Sequence, residues 1–196
     1  MSPLNDVGML LISSLGSMVL LVVVLRFLLQ LVRADFYNPI SQFIVKLTSP
    51  ILVPLRRIIP GYAGFDLASL FLAYIIQVVI VALIFWVTSQ PVMPWANFLL
   101  WAPIGLLSLI LNIYFWGLII IVVASWIAPN SYNPALILIN QIMEPAIRPI
   151  RSIMPDLGGI DLSPIVMFLS IRVIEILIVT PVASSLGVPR GIFFGL

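Results

Sequence analysis

The stretch YNPISQFIVKLTSPILVPLRRIIPGYAGFDL, residues 37–67, returns without a gap as YNPALILINQIMEPAIRPIRSIMPDLGGIDL, residues 132–162. At this offset of 95 residues the pairs Tyr37/Tyr132, Asn38/Asn133, Pro39/Pro134, Ile44/Ile139, Pro50/Pro145, Pro54/Pro149, Arg56/Arg151, Ile58/Ile153, Pro60/Pro155, Gly64/Gly159, Asp66/Asp161 and Leu67/Leu162 are identical. Chance supplies roughly two or three such matches over this window. Most of the matches are Pro, Gly, Asp, Arg and Asn, which set backbone direction or place charge, so the duplication preserved a shape and not merely hydrophobicity.

Outside these copies the chain is almost all apolar. It is 62% hydrophobic and 8% charged, with a mean hydropathy of +1.24. A soluble domain carries nearer about 25% charge, so the bilayer is the solvent. Four stretches are long enough to cross it: 8–31, 67–88, 104–127 and 162–182. The fold class follows: an all-α membrane protein with four transmembrane helices, arranged as two repeats of two, each with a proline-rich amphipathic loop. Because each repeat crosses twice, both enter from the same side and are related in parallel. The first repeat covers 1–90 with its loop at 33–66, and the second covers 104–196 with its loop at 128–161. Between them, residues 91–103 read as an uncharged interfacial connector ending at Pro103, with Trp86, Trp95 and Trp101 as an aromatic belt. The alternative is a single long, tilted span beginning near Trp95.

The first basic residue is Arg26, so the N-terminal run lacks the positive start of a cleaved signal and reads as a retained helix. Arg33, Lys46, Arg56, Arg57, Arg148 and Arg151 lie in the two repeated loops, against Arg190 on the opposite side. This asymmetry predicts cytoplasmic loops, both termini outside and, in a bacterium, the inner membrane. In each loop Asn38 or Asn133 is placed to cap a helix opened by Pro39 or Pro134. Ile40, Phe43, Ile44 and Leu47 form one stripe of the first helix, opposite Ser41, Gln42 and Lys46, as expected of a segment lying flat in the headgroup region. Its counterpart, with Leu136, Ile137, Leu138 and Ile139 against Asn140, Gln141 and Glu144, is apolar nearly all round. Prolines 50, 54 and 60, and 145, 149 and 155, predict short pieces instead of a long helix. Gly64 and Gly159 permit turns, and Asp66 and Asp161 are placed to cap spans two and four.

There is no cysteine and no histidine, which removes disulfides, zinc sites of the usual kind and imidazole bases. With no nucleotide-binding glycine motif or serine nucleophile motif either, no catalytic residue, cofactor or metal is expected. The loop carboxylates Asp35, Asp66, Glu144, Asp156 and Asp161 lack the spacing of a calcium loop. The membrane-embedded polar residues are Arg26, Gln77, Asn112, Arg172 and Glu175. Arg26 lies within snorkelling reach of the loop side. Arg172 and Glu175, three apart, can pair on one helix face, as a structural lock or as part of an ion or proton pathway. Gln77 is equivalent to Arg172 at the 95-residue offset, so the two are expected to face one another or a shared axis. Arg56, Arg57 and Arg151, with Lys46 and Arg148 nearby, either contact anionic headgroups or a partner, or serve only to hold the loops inside.

The doubled order of Tyr-Asn-Pro, then Thr48-Ser49-Pro50 or Met143-Glu144-Pro145, then Pro54-Leu55-Arg56-Arg57-Ile58-Ile59-Pro60, closing with Gly64-Phe65-Asp66-Leu67 or Gly159-Ile160-Asp161-Leu162, resembles the YggT family, whose plastid relatives are called YlmG. The resemblance covers nearly the whole chain. It implies a non-enzymatic membrane protein linked to osmotic stress tolerance and ion homeostasis, within an ion-conducting or accessory oligomer. The alternative it implies is a scaffold or assembly factor for a partner complex, in cytochrome maturation or in division and envelope organisation. Implied partners are the lipid bilayer with its anionic headgroups, and further copies of the chain or another membrane protein; nucleic acid is not expected. Ser49 stands where the second copy has Glu144, and Arg57 is answered by Ser152, so the halves are not expected to bind equivalently.

Overall fold

The uncharged runs and their caps dictate where the helices begin and end. The computed structural model describes residues 3–88, 94–128, 131–154, 161–189 and 192–193. The order is α1 (Pro3–Leu31), α2 (Pro39–Ile58), α3 (Leu67–Val87), α4 (Trp95–Ile127), α5 (Pro134–Ile153), α6 (Ser163–Ile174), a π-helical turn at Glu175–Val179, and α7 (Thr180–Ser185). Among the described residues, four helices are long and apolar enough to cross a membrane: Pro3–Leu31, Leu67–Val87, Trp95–Ile127 and the continuous Ser163–Ser185. A long helix, an amphipathic helix and a second long helix thus occur in the same order twice.

Small residues set the closest approach. Helices α1 and α3 pack antiparallel, with Gly8 against Val87 and Gly16 against Ile80; a Cβ at Gly8 would meet Val87 Cγ1 at 2.7 Å, and one at Gly16 would meet Ile80 Cδ1 at 2.8 Å. In α4, Gly117 admits the Met143 side chain of α5 in the same way, its Cβ position lying 2.7 Å from Met143 Cε. Helix interfaces in lipid rest on such close van der Waals packing, because hydrocarbon tails are as apolar as the side chains. The main core joins Leu20, Val24 and Leu28 of α1 to Ile80 and Ile84 of α3, Leu118 of α4 and Ile142 of α5.

Two expectations about chain interruption are corrected. First, Pro50 and Pro54 lie inside α2, and Pro145 and Pro149 inside α5, so each loop holds one 20-residue helix and not short pieces. A proline forfeits one hydrogen bond to the carbonyl four residues back. Here the two prolines of each helix are four apart, fall on one face, and are exposed. The opposite face is buried through Ser41, Ile44, Thr48 and Leu52 in α2, and Leu138, Ile142, Met143 and Ile147 in α5. Packing of that face outweighs the local penalty. Pro155 and Gly159 lie outside the described residues.

Second, α4 runs unbroken from Trp95 through Pro103, so the described part of the 91–103 segment is helical and not a separate interfacial connector. Its 33 residues span about 50 Å, well beyond a hydrocarbon core of about 30 Å. Trp101 is not a belt residue. It is buried with Val81, Phe85, Phe98 and Phe193, and its indole Nε1 donates to the Leu186 carbonyl at 3.0 Å. Trp86 and Trp95 are exposed.

Candidate functional site

The repeated Tyr-Asn-Pro puts a cap and a rigid first turn at the start of both amphipathic helices. Asn38 Oδ1 accepts from Ile40 N at 2.9 Å, and Asn133 Oδ1 from Ala135 N at 2.9 Å. Asn38 also reaches across the repeats, its Nδ2 donating to the Pro134 carbonyl at 2.8 Å. Nearby, Asp35 N donates to Gln141 Oε1 at 3.0 Å. The amphipathic helices are therefore braced to each other where α2 begins.

The faces of α2 differ from the sequence expectation. Ile44 is buried against the bundle, but the adjoining buried positions are Ser41, Thr48 and Leu52, whereas Phe43, Leu47 and Ile51 are exposed. The hydroxyl of Thr48 donates to the Ile44 carbonyl at 2.8 Å, so a polar side chain packs inward at little cost. Helix α2 consequently has a bundle-facing side, an outward apolar ridge, and a polar side carrying the exposed Lys46 and Arg57.

At the far end of each amphipathic helix, the matched Arg and Asp form an ion pair. Arg56 Nη2 donates to Asp66 Oδ2 at 2.5 Å, and Arg151 Nε to Asp161 Oδ2 at 3.1 Å. Both pairs tie the end of the amphipathic helix to the start of the following span, across a turn that in the first repeat uses Ala63 and Gly64, at φ 50° and 88°. Their surroundings differ. Asp66 is 2% exposed and Arg56 33%, whereas Asp161 is 43% and Arg151 50% exposed. Arg56 Nη2 also donates to Gln30 Oε1 at 3.0 Å, and Ser69 donates to Asp66 through both its backbone N–H and its hydroxyl. In the second repeat Arg151 instead has Glu144 within 3.6 Å. Asp161 sits one residue before Leu162, which occupies the cap position of α6, and accepts from Ser163 N at 2.8 Å; the residue predicted as the cap is displaced by one.

These contacts fix the charge states. Burial alone would raise the Asp66 carboxyl, but hydrogen bonds from Arg56 and Ser69 and the Arg56 charge hold it below the usual carboxylate range. Hydrogen bonding from Ser163, helped by Arg151, lowers Asp161 likewise. Arg56 and Arg151 each pair with a protein carboxylate, and among the described residues Arg33, Lys46, Arg57 and Arg148 are exposed basic groups outside those pairs. The loop carboxylates are dispersed among separate duties. Asp35 accepts from Tyr37 N, Asp66 serves Arg56, and Glu144 and Asp161 flank Arg151, while Asp156 lies outside the described residues.

Within the spans, Arg26 is enclosed by protein. Its residue is 8% exposed, its guanidinium lies 5.3 Å from the Phe36 ring, and it is close enough to feel the charges of both Arg56 and Asp66. Arg172 Nη1 pairs with Glu175 Oε2 at 2.6 Å, at the entrance to the π-helical turn, and its guanidinium sits 4.5 Å from the Phe115 ring of α4. Gln77 is buried beside Gly105 of α4. Gly105 and Phe115 are ten residues apart, about 15 Å along a helix, so Gln77 and Arg172 do not face each other as their equivalence suggested. Asn112 Nδ2 donates to the Ser108 carbonyl at 3.0 Å. Gln30, Ser69, Gln141 and Phe115 complete these clusters and were not anticipated. The only sequence signals were the four-residue spacing of Arg26 and Gln30 and the three-residue spacing of Asp66 and Ser69.

The family model described as CCB3/YggT matches residues 6–90 and 100–182, one match per repeat. A Pseudomonas aeruginosa protein named only as uncharacterized is 50% identical over 188 residues, covering 95% of each chain. A Vibrio alginolyticus protein encoded in a proC 3' region is 44% identical over 166 residues, covering 83% of this chain and 88% of its own, and the uncharacterized protein YggT of Escherichia coli K12 is 38% identical over 166 residues, covering 84% and 85%. No solved structure matches.

Proposed function

This chain belongs to the CCB3/YggT family, and from that premise we propose that it is a non-catalytic membrane protein supporting osmotic tolerance and ion balance as an accessory, by docking a membrane partner on its paired amphipathic helices. The observation that carries the reading is the brace between repeats, Asn38 Nδ2 to the Pro134 carbonyl, which holds α2 and α5 as one platform. That platform presents the apolar ridge of Phe43, Leu47 and Ile51 beside Lys46 and Arg57, a surface suited to the membrane interface. Direct conduction by one subunit is the weaker reading, because Gln77 and Arg172 are separated along α4 instead of converging on a shared axis.

Purified protein in liposomes should leave an imposed potassium or sodium gradient to decay at the protein-free rate. In cells, a photo-crosslinker at Phe43 or Leu47 should capture a discrete membrane protein whose deletion reproduces the hyperosmotic growth defect of cells lacking this chain. Ion flux from the purified protein alone would replace the accessory role with conduction. Normal hyperosmotic growth of the deletion strain would remove the osmotic role itself.

A further inference from the structure

The end of α1 holds more positive charge than its neighbours answer. Arg26 and Gln30, four residues apart, lie on one face of α1. Gln30 Oε1 accepts from Arg56, which brings a second guanidinium beside the first. One carboxylate faces the two cations. The oxygens of Asp66 accept from Arg56 Nη2 and from both donors of Ser69, and neither bonds to Arg26. As a result Nε and Nη1 of Arg26 and Nε of Arg56 are buried N–H groups without an acceptor, and Arg26 is more than nine-tenths buried. Arginine does not escape such a site by losing its proton. Unanswered donors on a buried cation cost several kcal/mol, and the Phe36 ring returns only part of that.

We infer that Arg26 and Arg56 form a binding site for a single phosphate-type oxyanion, either the phosphate of an anionic lipid headgroup or free inorganic phosphate. Guanidinium N–H groups make strong, charge-assisted hydrogen bonds to phosphate oxygens, and these two neighbouring arginines hold three such donors unanswered. The charge agrees, since two cations and one carboxylate leave one positive charge for the ligand. The depth agrees as well: α1 ends at Leu31 and α3 begins at Leu67, so the cluster sits at the membrane boundary where lipid phosphates lie. Beside it, Phe36 is 40% exposed and the Arg56 side chain 33% exposed.

The test uses the whole chain in phosphatidylcholine nanodiscs. One arm replaces part of the lipid with phosphatidylglycerol, a second adds inorganic phosphate, and a third adds chloride at matched ionic strength. Phosphatidylglycerol or phosphate should raise Tm by roughly 2–4 °C, the size expected of a ligand that binds only the folded state; whichever acts identifies the source. Native mass spectrometry should show the acting lipid or ion retained in preference to phosphatidylcholine or chloride. Arg26→Gln should abolish both the shift and the retention, Arg26→Lys should weaken them by removing the guanidinium donors while keeping the charge, and Tyr132→Phe, at an exposed position, should leave them intact. If Arg26→Gln yields no folded protein, the wild-type arms and Arg26→Lys still decide. Equal shifts with chloride, no shift in any arm, or a shift that survives Arg26→Gln would each overturn the site.

Discussion

Replacing Asp66 and Asp161 separately by alanine removes the same residue from equivalent places in two copies of one motif, and the structure assigns the two changes very different costs. Asp66 is 2% exposed and its loss leaves Arg56 and Arg26 without their shared carboxylate. Removing one partner of a buried pair costs about 3–5 kcal/mol. Arg56 is one-third exposed, which places the pair at the lower end, and loss of the cap on α3 adds about 1 kcal/mol. The expected total is about 3–4 kcal/mol. Asp161 and Arg151 are each about half exposed, and such pairs contribute about 0.2–1 kcal/mol. The difference of about 2–3 kcal/mol corresponds to roughly 5–10 °C in Tm for a chain of this size. Thermal unfolding of both variants in one neutral detergent, followed by tryptophan fluorescence, measures it. Asp66→Asn, which retains a capping oxygen, should fall between Asp66→Ala and the wild type. Equal losses for the two alanine variants, or a larger loss for Asp161→Ala, would refute the assignment of a buried first pair and an exposed second one.

Other outcomes follow from the same contacts. Both aspartates titrate below the usual carboxylate range when folded, so the unfolded chain takes up protons first as pH falls; their contribution is fully present above the unfolded value of about 4 and is lost as pH drops through the folded values, which unfolding at pH 3 against pH 6 will register. Glu175→Ala leaves the Arg172 guanidinium with only Phe115 and Phe168 and should destabilise by roughly 1–2 kcal/mol, more than the double change of Arg172 and Glu175 to leucine; a double variant no better than the single would refute pairing as the role of these charges. Single cysteines at Gln42 and Asn140, both exposed, should be shielded from a membrane-impermeant thiol reagent in intact cells, while one at Asp6 reacts; the reverse pattern would invert the orientation drawn from the loop arginines.

What could be read from the sequence followed residue chemistry that acts locally. A cap needs only a side-chain oxygen before a helix, so Asn38, Asn133 and Asp66 were legible without knowledge of the fold. Span length is equally local. The prolines misled because their penalty is local whereas the packing that offsets it is not: Ser41, Thr48 and Leu52 declare themselves a buried face only once α1, α3 and α5 surround them. Arg26 misled for a related reason. A basic residue near a helix end snorkels when lipid is its neighbour, but here Phe36 and the Arg56–Asp66 pair enclose it, and both arrive from parts of the chain that Arg26 does not predict. The expected meeting of Gln77 and Arg172 failed because equivalence in a repeat fixes a residue's place within its own copy, and not the register of one copy against the other.

The two copies have consequently diverged in firmness more than in form. Helix α2 is held at its start by Asn38, which bridges to the second repeat, and at its end by Arg56 on a buried carboxylate. Helix α5 is held at its end by Arg151, half exposed between Glu144 and Asp161. Exposed ion pairs weaken as ionic strength rises, whereas buried or partly buried pairs are screened much less. A rise in ionic strength therefore weakens the hold on the end of α5 and spares that on α2. Such a difference suits a protein proposed to support cells through osmotic change: the first repeat keeps the platform in register while the second yields, and Glu144, standing where the first copy has Ser49, adds a second exposed acid through which the arginine can be held or released.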